Sequence, residues 1–320
     1  MIILLTAIGS FSADCVVSSL KRKGHRVIGC DIYPAEWHPV SKDCDKVYQV
    51  PFATKELDYV HALLDICSVE NVDLLFPLTD LEIDVLNNYR EDFETVGVNL
   101  CIQSKYCLSI ARNKYEMAQM FAEDEFVKIP KTRLAAAEAL EAIIFPVIAK
   151  PYNGRSSEGL MKLMSKDDMC LINNREKYIF QELLSGNVYT VDYVRDIYGN
   201  DFSVPREELL RTKNGAGTTV RVVPDERIQK MVSYIGTKLE IVGCVNMEFI
   251  HHEDDFYLID INPRFSAGVA FSCCVGYDMV ISHLNACMAK SIEKPVPFDE
   301  QIIAKRYKEE VLWIKKKRLN

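Results

Sequence analysis

The sequence lacks any apolar run long enough to cross a membrane. Its N-terminal MIILLTAIG falls well short of the roughly 20 residues a spanning helix needs, and it has neither the positively charged start nor the cleavage site of a secretory leader. It has no CxxC pair, and its 11 cysteines, odd in number and scattered, argue against both a disulfide framework and a zinc site. Such usage suits a reducing cytoplasm. Cys273 and Cys274 have no evident histidine partner, so they read as helix or core residues rather than nucleophiles. There is no excess of positive charge: a net charge of -8 gives no general reason to expect nucleic acid as a partner. The run KKKR at 315–318 reads as a solvated end. Neither GxGxxG nor GxxxxGK[ST] occurs, no Ser/His/Asp or Cys/His constellation is evident, and there is no internal repeat. Within these exclusions, 320 residues suffice for two or three soluble domains with real cores.

Apolar strands alternate with amphipathic helices over the first hundred residues or so. IILLTA, RVIGCDI, VDLLFPL and VGVNLCI read as strands. The segment with Val16, Val17 and Leu20, ended by Gly24, and the segments 57–67 and 81–89 read as helices. This order predicts a parallel, doubly wound α/β domain. Gly9 in the first turn, with Asp31 about twenty residues later, invites a dinucleotide. Ser10, Phe11 and Ser12 follow that glycine, however, so an NAD-dependent oxidoreductase stands only as an alternative from another class. FPLTDLE either lines a ligand cleft at a strand's C-terminal end or starts a helix capped by Thr79 or Asp80.

From Ser104 a helical stretch, ARNKYEMAQMFAE, leads to IPKT and a second domain, with Lys114 near the helix start. FPVIAKPYNGRSSEGLMKL reads as a strand ending in Lys150, a small-residue loop and a second strand after Gly159. Such a loop lets backbone N–H groups approach phosphates, or is simply a flexible hairpin. YIFQELLSGNVYTVDYVRD places Gln181 and Glu182 at a strand end, followed by an apolar connector able to frame a flat heterocycle. Residues 200–224 are polar, with the flexible GAGTT, and a structured, disordered or substrate-covering loop would all read this way. Within it Arg206 and Arg221 are candidate forks for a substrate carboxylate, with surface arginines as the plain alternative. Segment 226–239 has the spacing of a core-packing helix, and 277–288 is a further helix in which His283 reads as packed or capping.

CVNMEFIHHEDDFYLIDINPRFSAG, from Cys244 to Gly268, reads as two strands joined by the charged turn HHEDD. Asn246 and Glu248 alternate against Val245, Met247 and Phe249; Asp260 and Asn262 alternate against Tyr257, Ile259 and Ile261. A turn centred near Asp254 makes Glu248 and Asp260 cross-strand neighbours. Facing carboxylates repel unless a cation sits between them. Hard oxygen ligands of this kind suit Mg2+, while a solvated charged hairpin is the plain alternative.

The order of these stretches resembles the ATP-grasp superfamily: Lys114, then Lys150 with its loop, then QELLSG with a TVD strand, then NMEF twelve residues ahead of DINPR. Within it, carboxylate-amine ligases related to the carbamoyl phosphate synthetase large subunit are the most similar. The resemblance covers nearly the whole chain. It implies an α/β pre-grasp domain with a parallel sheet (1–103), followed by an α+β grasp fold of two subdomains (104–185 and 186–320) gripping ATP. It also implies that Lys114 and Lys150 contact phosphates, with Gly154, Ser156 and Ser157 in the loop folded over them. Gln181, Glu182 and Leu184 would frame the adenine, and Glu248, Asp260 and Asn262 would hold Mg2+ or Mn2+. Arg264 would face the transferred phosphoryl group or the acyl phosphate and so join Arg206 and Arg221 as a substrate residue, and Lys150 and Arg264 would serve the reaction directly.

Val188 stands where family members commonly carry a ribose-binding glutamate, and Asp260 where glutamate is commoner. The implied function is a cytoplasmic ATP-dependent ligase joining a small carboxylate to an amine. Phosphorylation of bicarbonate or carbamate and a non-catalytic ATP-binding module are the alternatives. Neither nucleic acid nor membrane is an expected partner, and a homodimer is the default assembly.

Overall fold

The computed structural model describes residues 1–136, 143–155, 158–213 and 215–306, so Ser156, Ser157 and the run at 315–318 lie outside the described residues. Among the described residues two compact units emerge, Met1–Ile102 with Lys305 and Arg306, and Gln103–Ala304. No helix among the described residues is long and apolar enough to cross a membrane.

In the first unit the aliphatic runs become the strands of a parallel five-stranded sheet. Strands β1 (Ile2–Leu5), β2 (Arg26–Asp31), β3 (Lys46–Gln49), β4 (Leu74–Phe76) and β5 (Asn99–Leu100) lie in the order β3-β2-β1-β4-β5. Helices α1 (Ala13–Arg22), α2 (Glu56–Glu70), α3 (Asp80–Asn88) and α4 (Arg90–Thr95) connect them. Strand β3 and helix α4 have no counterpart in the sequence reading. FPLTDLE resolves into a helix start: Thr79 and Glu82 form a reciprocal capping box on α3. The first turn offers little to a dinucleotide. Asp31 accepts the Gly9 N–H at 2.9 Å, and a Cβ on Gly9 would stand 2.5 Å from the His38 ring.

The second unit opens with two short helices, α5 (Lys105–Ala111) and α6 (Lys114–Met120), where the sequence suggested one. Asn113 breaks the stretch by capping α6, its side chain accepting from the Tyr115 and Glu116 N–H groups. A four-stranded antiparallel sheet follows, made of β6 (Thr132–Leu134), β7 (Val147–Pro151), β8 (Met161–Leu163) and β9 (Tyr178–Glu182) in the order β6-β9-β7-β8. Next come β10 (Asn187–Arg195), β11 (Asp201–Arg211), β12 (Gly217–Val222), α7 (Glu226–Lys238), β13 (Gly243–His252), β14 (Asp255–Asn262), α8 (Val269–Cys273), α9 (Met279–Cys287) and β15 (Gln301–Ala304). Their strands form an antiparallel six-stranded sheet ordered β14-β13-β10-β11-β12-β15.

Residues 200–224, which read as a loop of structured, disordered or substrate-covering kind, are largely strands β11 and β12, which buries the backbone donors and acceptors in a ladder. One face of the six-stranded sheet carries Tyr189, Val191, Tyr193, Val245, Met247 and Phe249, packed with Ile228, Val232 and Ile235 of α7. His283 on α9 is a packed histidine: its Nδ1 accepts the Cys244 N–H at 2.8 Å.

Candidate nucleotide and metal site

The other face of that sheet is polar, because directly paired residues of an antiparallel ladder project to the same side. One row across the strands reads Val222, Arg206, Thr190, Glu248, Asp260; the next reads Val204, Asp192, Asn246, Asn262. Glu248 and Asp260 are therefore cross-strand partners, joined through the turn at Glu253 and Asp254. The alternation expected along β14 breaks at one point, however. A bulge lies where the register passes from Glu248 and Asp260 to Phe249 and Leu258, leaving Ile259 as an extra residue. Leu258 and Ile261 enter the core, whereas Ile259 joins Asp260 at the cleft instead of opposing it. The unladdered Ile259 carbonyl accepts from Lys150 Nζ at 3.2 Å.

Lys114 and Lys150 reach this face from the start of α6 and from β7. Both are nearly buried, with relative exposures of 7% and 8%. Lys114 Nζ lies 3.0 Å from Asp260 Oδ1 and donates to the Gly154 carbonyl at 3.0 Å. Burial pulls the Lys150 ammonium down to about 8, with Asp260 opposing the shift and Lys114 reinforcing it. Burial and the facing Asp260 together push the Glu248 carboxyl up. Arg211 Nη2 stands 3.4 Å from Glu248 Oε2. Each carboxylate of the pair thus has a basic side chain against it, which answers the repulsion that a bare pair would suffer.

These groups line a cleft of about 360 Å3. Its charged end holds Lys114, Lys150, Gly154, Arg211, Glu248 and Asp260, and its apolar wall holds Ile148, Leu183, Leu184, Val188, Ile250 and Ile259. Gln181 and Glu182 lie at the junction. The connector after β9 runs tightly over β13, since a Cβ on Gly186 would stand 2.1 Å from the His251 carbonyl oxygen. Val188 supplies only hydrocarbon to the wall. Asn262 donates to Glu248 Oε1 at 3.3 Å and turns its Oδ1 toward Arg264 Nη2 at 3.2 Å.

Two expected substrate residues lie elsewhere. Arg206 is 1% exposed and ion-paired to Asp192, so it is no open fork for a ligand. Arg221 stands in the row Arg221, Glu207, Tyr189, Phe249, Leu258, which occupies the opposite face of the sheet. It pairs there with Glu207 at 3.4 Å. Arg211, by contrast, went unassigned in the sequence. Two register irregularities near the end of β11 separate it from the simple alternation that would have located it.

A family model described as the ATP-grasp domain matches residues 111–268, and one described as the PylC-like N-terminal domain matches residues 3–101. Residues 111–268 are an ATP-grasp domain. ATP-grasp proteins are ATP-dependent ligases, many of which form C–N bonds. A carbamoyl phosphate synthase large chain from Clostridium acetobutylicum is 22% identical over 313 residues, covering 89% of this chain but 28% of its own length. The chain thus spans about a quarter of that relative. Among solved structures, the biotin carboxylase domain dimer of Hydrogenobacter thermophilus 2-oxoglutarate carboxylase, in complex with MgADP and bicarbonate, superposes with a TM-score of 0.77 at 16% identity. That match covers 94% of this chain and 73% of that one. N5-carboxyaminoimidazole ribonucleotide synthetase from Thermotoga maritima gives a TM-score of 0.69 at 17% identity, covering 94% and 79%. The structural likeness therefore extends on both sides of residues 111–268.

The donor set of the grasp domain suits Mg2+: two facing carboxylates and an amide oxygen, with room for phosphate and water. Among the described residues no group of three or more His, Cys, Asp or Glu side chains gathers as a metal centre. A softer, fully protein-ligated ion has no such cluster to occupy.

Proposed function

We propose that this chain is an ATP- and Mg2+-dependent ligase that activates a small carboxylate as an acyl phosphate for attack by an amine. The observation that carries the reading is the convergence of two nearly buried lysines and a facing carboxylate pair at one end of an apolar-walled cleft. Adenine would lie against Leu183, Leu184 and Ile250, with Gln181 and Glu182 beside it, and the phosphates would run toward Lys114 and Lys150 under the loop that begins at Gly154. Glu248, Asp260 and Asn262 would hold Mg2+ or Mn2+, which supplies charge neutralisation at the phosphates. Val188 offers the ribose no acceptor, so the nucleotide would be held chiefly by its base and phosphates.

Amide formation from a carboxylate fails in water because the leaving oxygen is poor. In the proposed reaction a carboxylate oxygen attacks the γ-phosphorus and ADP leaves. The amine then attacks the acyl carbon, and inorganic phosphate leaves with the C–O bond pair. No protein nucleophile is required; alignment and charge stabilisation do the work. Lys150 and Arg264 would meet the charge of the transferring phosphoryl group, and Arg264, unlike Arg206 and Arg221, would also meet the substrate carboxylate. The partners would be small molecules, and a homodimer remains part of the reading.

The test is an ADP-release screen of amino acids and organic acids crossed with amine acceptors, with bicarbonate plus ammonia as a separate arm. ADP release that requires both a carboxylate and an amine supports the ligase. Release with bicarbonate alone, or nucleotide binding with no release in any arm, overturns it.

A further inference from the structure

We infer that the buried Arg206–Asp192 ion pair is a positioning device that orients the Arg264 guanidinium through two asparagine amides; its kinetic consequence rests on the ligase reading above. Asp192 is fully buried, and Arg206 is 1% exposed. Arg206 Nη1 contacts Asp192 Oδ2 and the Ser272 hydroxyl, while its Nη2 donates to Ser266 Oγ at 3.2 Å. Ser272 Oγ donates to Asp192 Oδ2 at 2.8 Å. From the other carboxylate oxygen a chain runs back toward the cleft. Asn246 Nδ2 donates to Asp192 Oδ1 at 3.4 Å, Asn262 Nδ2 to Asn246 Oδ1 at 3.3 Å, and Arg264 Nη2 to Asn262 Oδ1 at 3.2 Å.

The direction of this chain follows from its ends. An ionised carboxylate only accepts, and a guanidinium only donates. Two amides strung between them are fully bonded in one orientation alone: each NH2 toward Asp192, each oxygen toward Arg264. Reversing either amide places NH2 against NH2 or oxygen against oxygen. Arg206, ion-paired to Asp192, supplies the countercharge at the buried end of the chain.

Arg206 also ties down the loop that carries Arg264. Its Nη2 reaches Ser266 Oγ, which in turn accepts the Gly268 N–H at 3.2 Å. A side chain on Gly268 would stand 3.3 Å from that same Nη2. Stability alone does not account for the arrangement. Burying two charges is costly, apolar replacement of such pairs is often neutral or stabilising, and the Arg206 Nε here is buried with no hydrogen-bond partner.

The experiment compares the parent with Asp192→Leu/Arg206→Met and with Asn246→Leu, which leaves the ion pair in place but removes the donor facing Asp192. In arginine-15N-labelled protein, the Arg264 guanidinium signals are assigned by their loss in Arg264→Lys. They should show restricted rotation in the parent and an averaged environment in both variants, with the parent's thermal midpoint kept in the double variant. This readout needs no turnover and stands whether or not a substrate pair is found. Where the screen yields an activity, kcat should fall roughly tenfold or more with the KM for ATP unchanged. Unaltered Arg264 signals, or an unaltered kcat, in a folded variant would overturn the inference. Should the double variant not fold, Asn246→Leu decides alone by the same signals.

Discussion

The two faces of the six-stranded sheet share one hydrogen-bond ladder and differ in everything else. Tyr189, Phe249 and Leu258 stand on one side among the apolar side chains of α7. Thr190, Glu248 and Asp260, drawn from the same strands, stand on the other beside two nearly buried lysines. The difference teaches that period-two patterning divides the labour: one face holds the sheet in place, and the other can then carry charges that would not by themselves stabilise anything.

That division is most severely tested at the carboxylate pair. Glu248→Gln combined with Asp260→Asn should lower Mg2+-dependent ADP release by roughly a thousandfold or more, because charge stabilisation worth several kcal/mol is lost at the phosphates. The unfolding midpoint should fall modestly, since Lys114 and Arg211 lose the carboxylates they pair with. Full activity in this variant would sink the metal assignment.

Its mirror is Phe249→Ala on the core face, where ~3–5 kcal/mol of stability should go. Denaturant titration reads that loss, and the activity of the remaining folded fraction should match the parent.

A smaller effect should come from pH. Lys150 is held near 8 instead of its ordinary 10.5 by burial. A bound polyphosphate favours the protonated ammonium, so metal-free ADP affinity should be greatest below about 8 and fall by up to about tenfold per pH unit above it. The sign for stability is opposite: the buried cation opposes folding at neutral pH, and the nucleotide-free protein should gain stability as pH rises from about 8 toward 10.5. Binding calorimetry with ADP and denaturant titration of the nucleotide-free protein across this range, each with Lys150→Met as the control lacking the step, check the two signs.

The smallest change belongs to Arg221→Ala. On the face away from the cleft it should alter KM and kcat by less than about twofold and stability by less than ~0.5 kcal/mol. A large KM effect would return Arg221 to the substrate site and undo the contrast between the faces.

Much of the carboxylate end of the cleft was legible in the chain. The spacing from Glu248 to Asp260 and the charged turn between them suffice to make the two residues partners, because a hairpin's register follows from its turn and its pattern. Lys114 and Lys150 were legible only through family resemblance, since nothing local distinguishes a lysine bound for a cleft from one bound for water. Their burial comes from segments far away in sequence.

What the sequence by itself determined is the alternation of α and β in the first unit, the pairing of the two acids and the apolar connector after Gln181 and Glu182, all of which depend on neighbours close along the chain. Tertiary structure alone decided the rest. Arg206 became an internal counterion because Asp192 lies diagonal to it on the adjoining strand, Arg221 went to the far face because of its place in the ladder, and Ile259 reached the cleft through a bulge. Polar residues and strand periodicity can be read one residue at a time, but which charge meets which across a sheet depends on strand order and register, and these are properties of the folded chain as a whole.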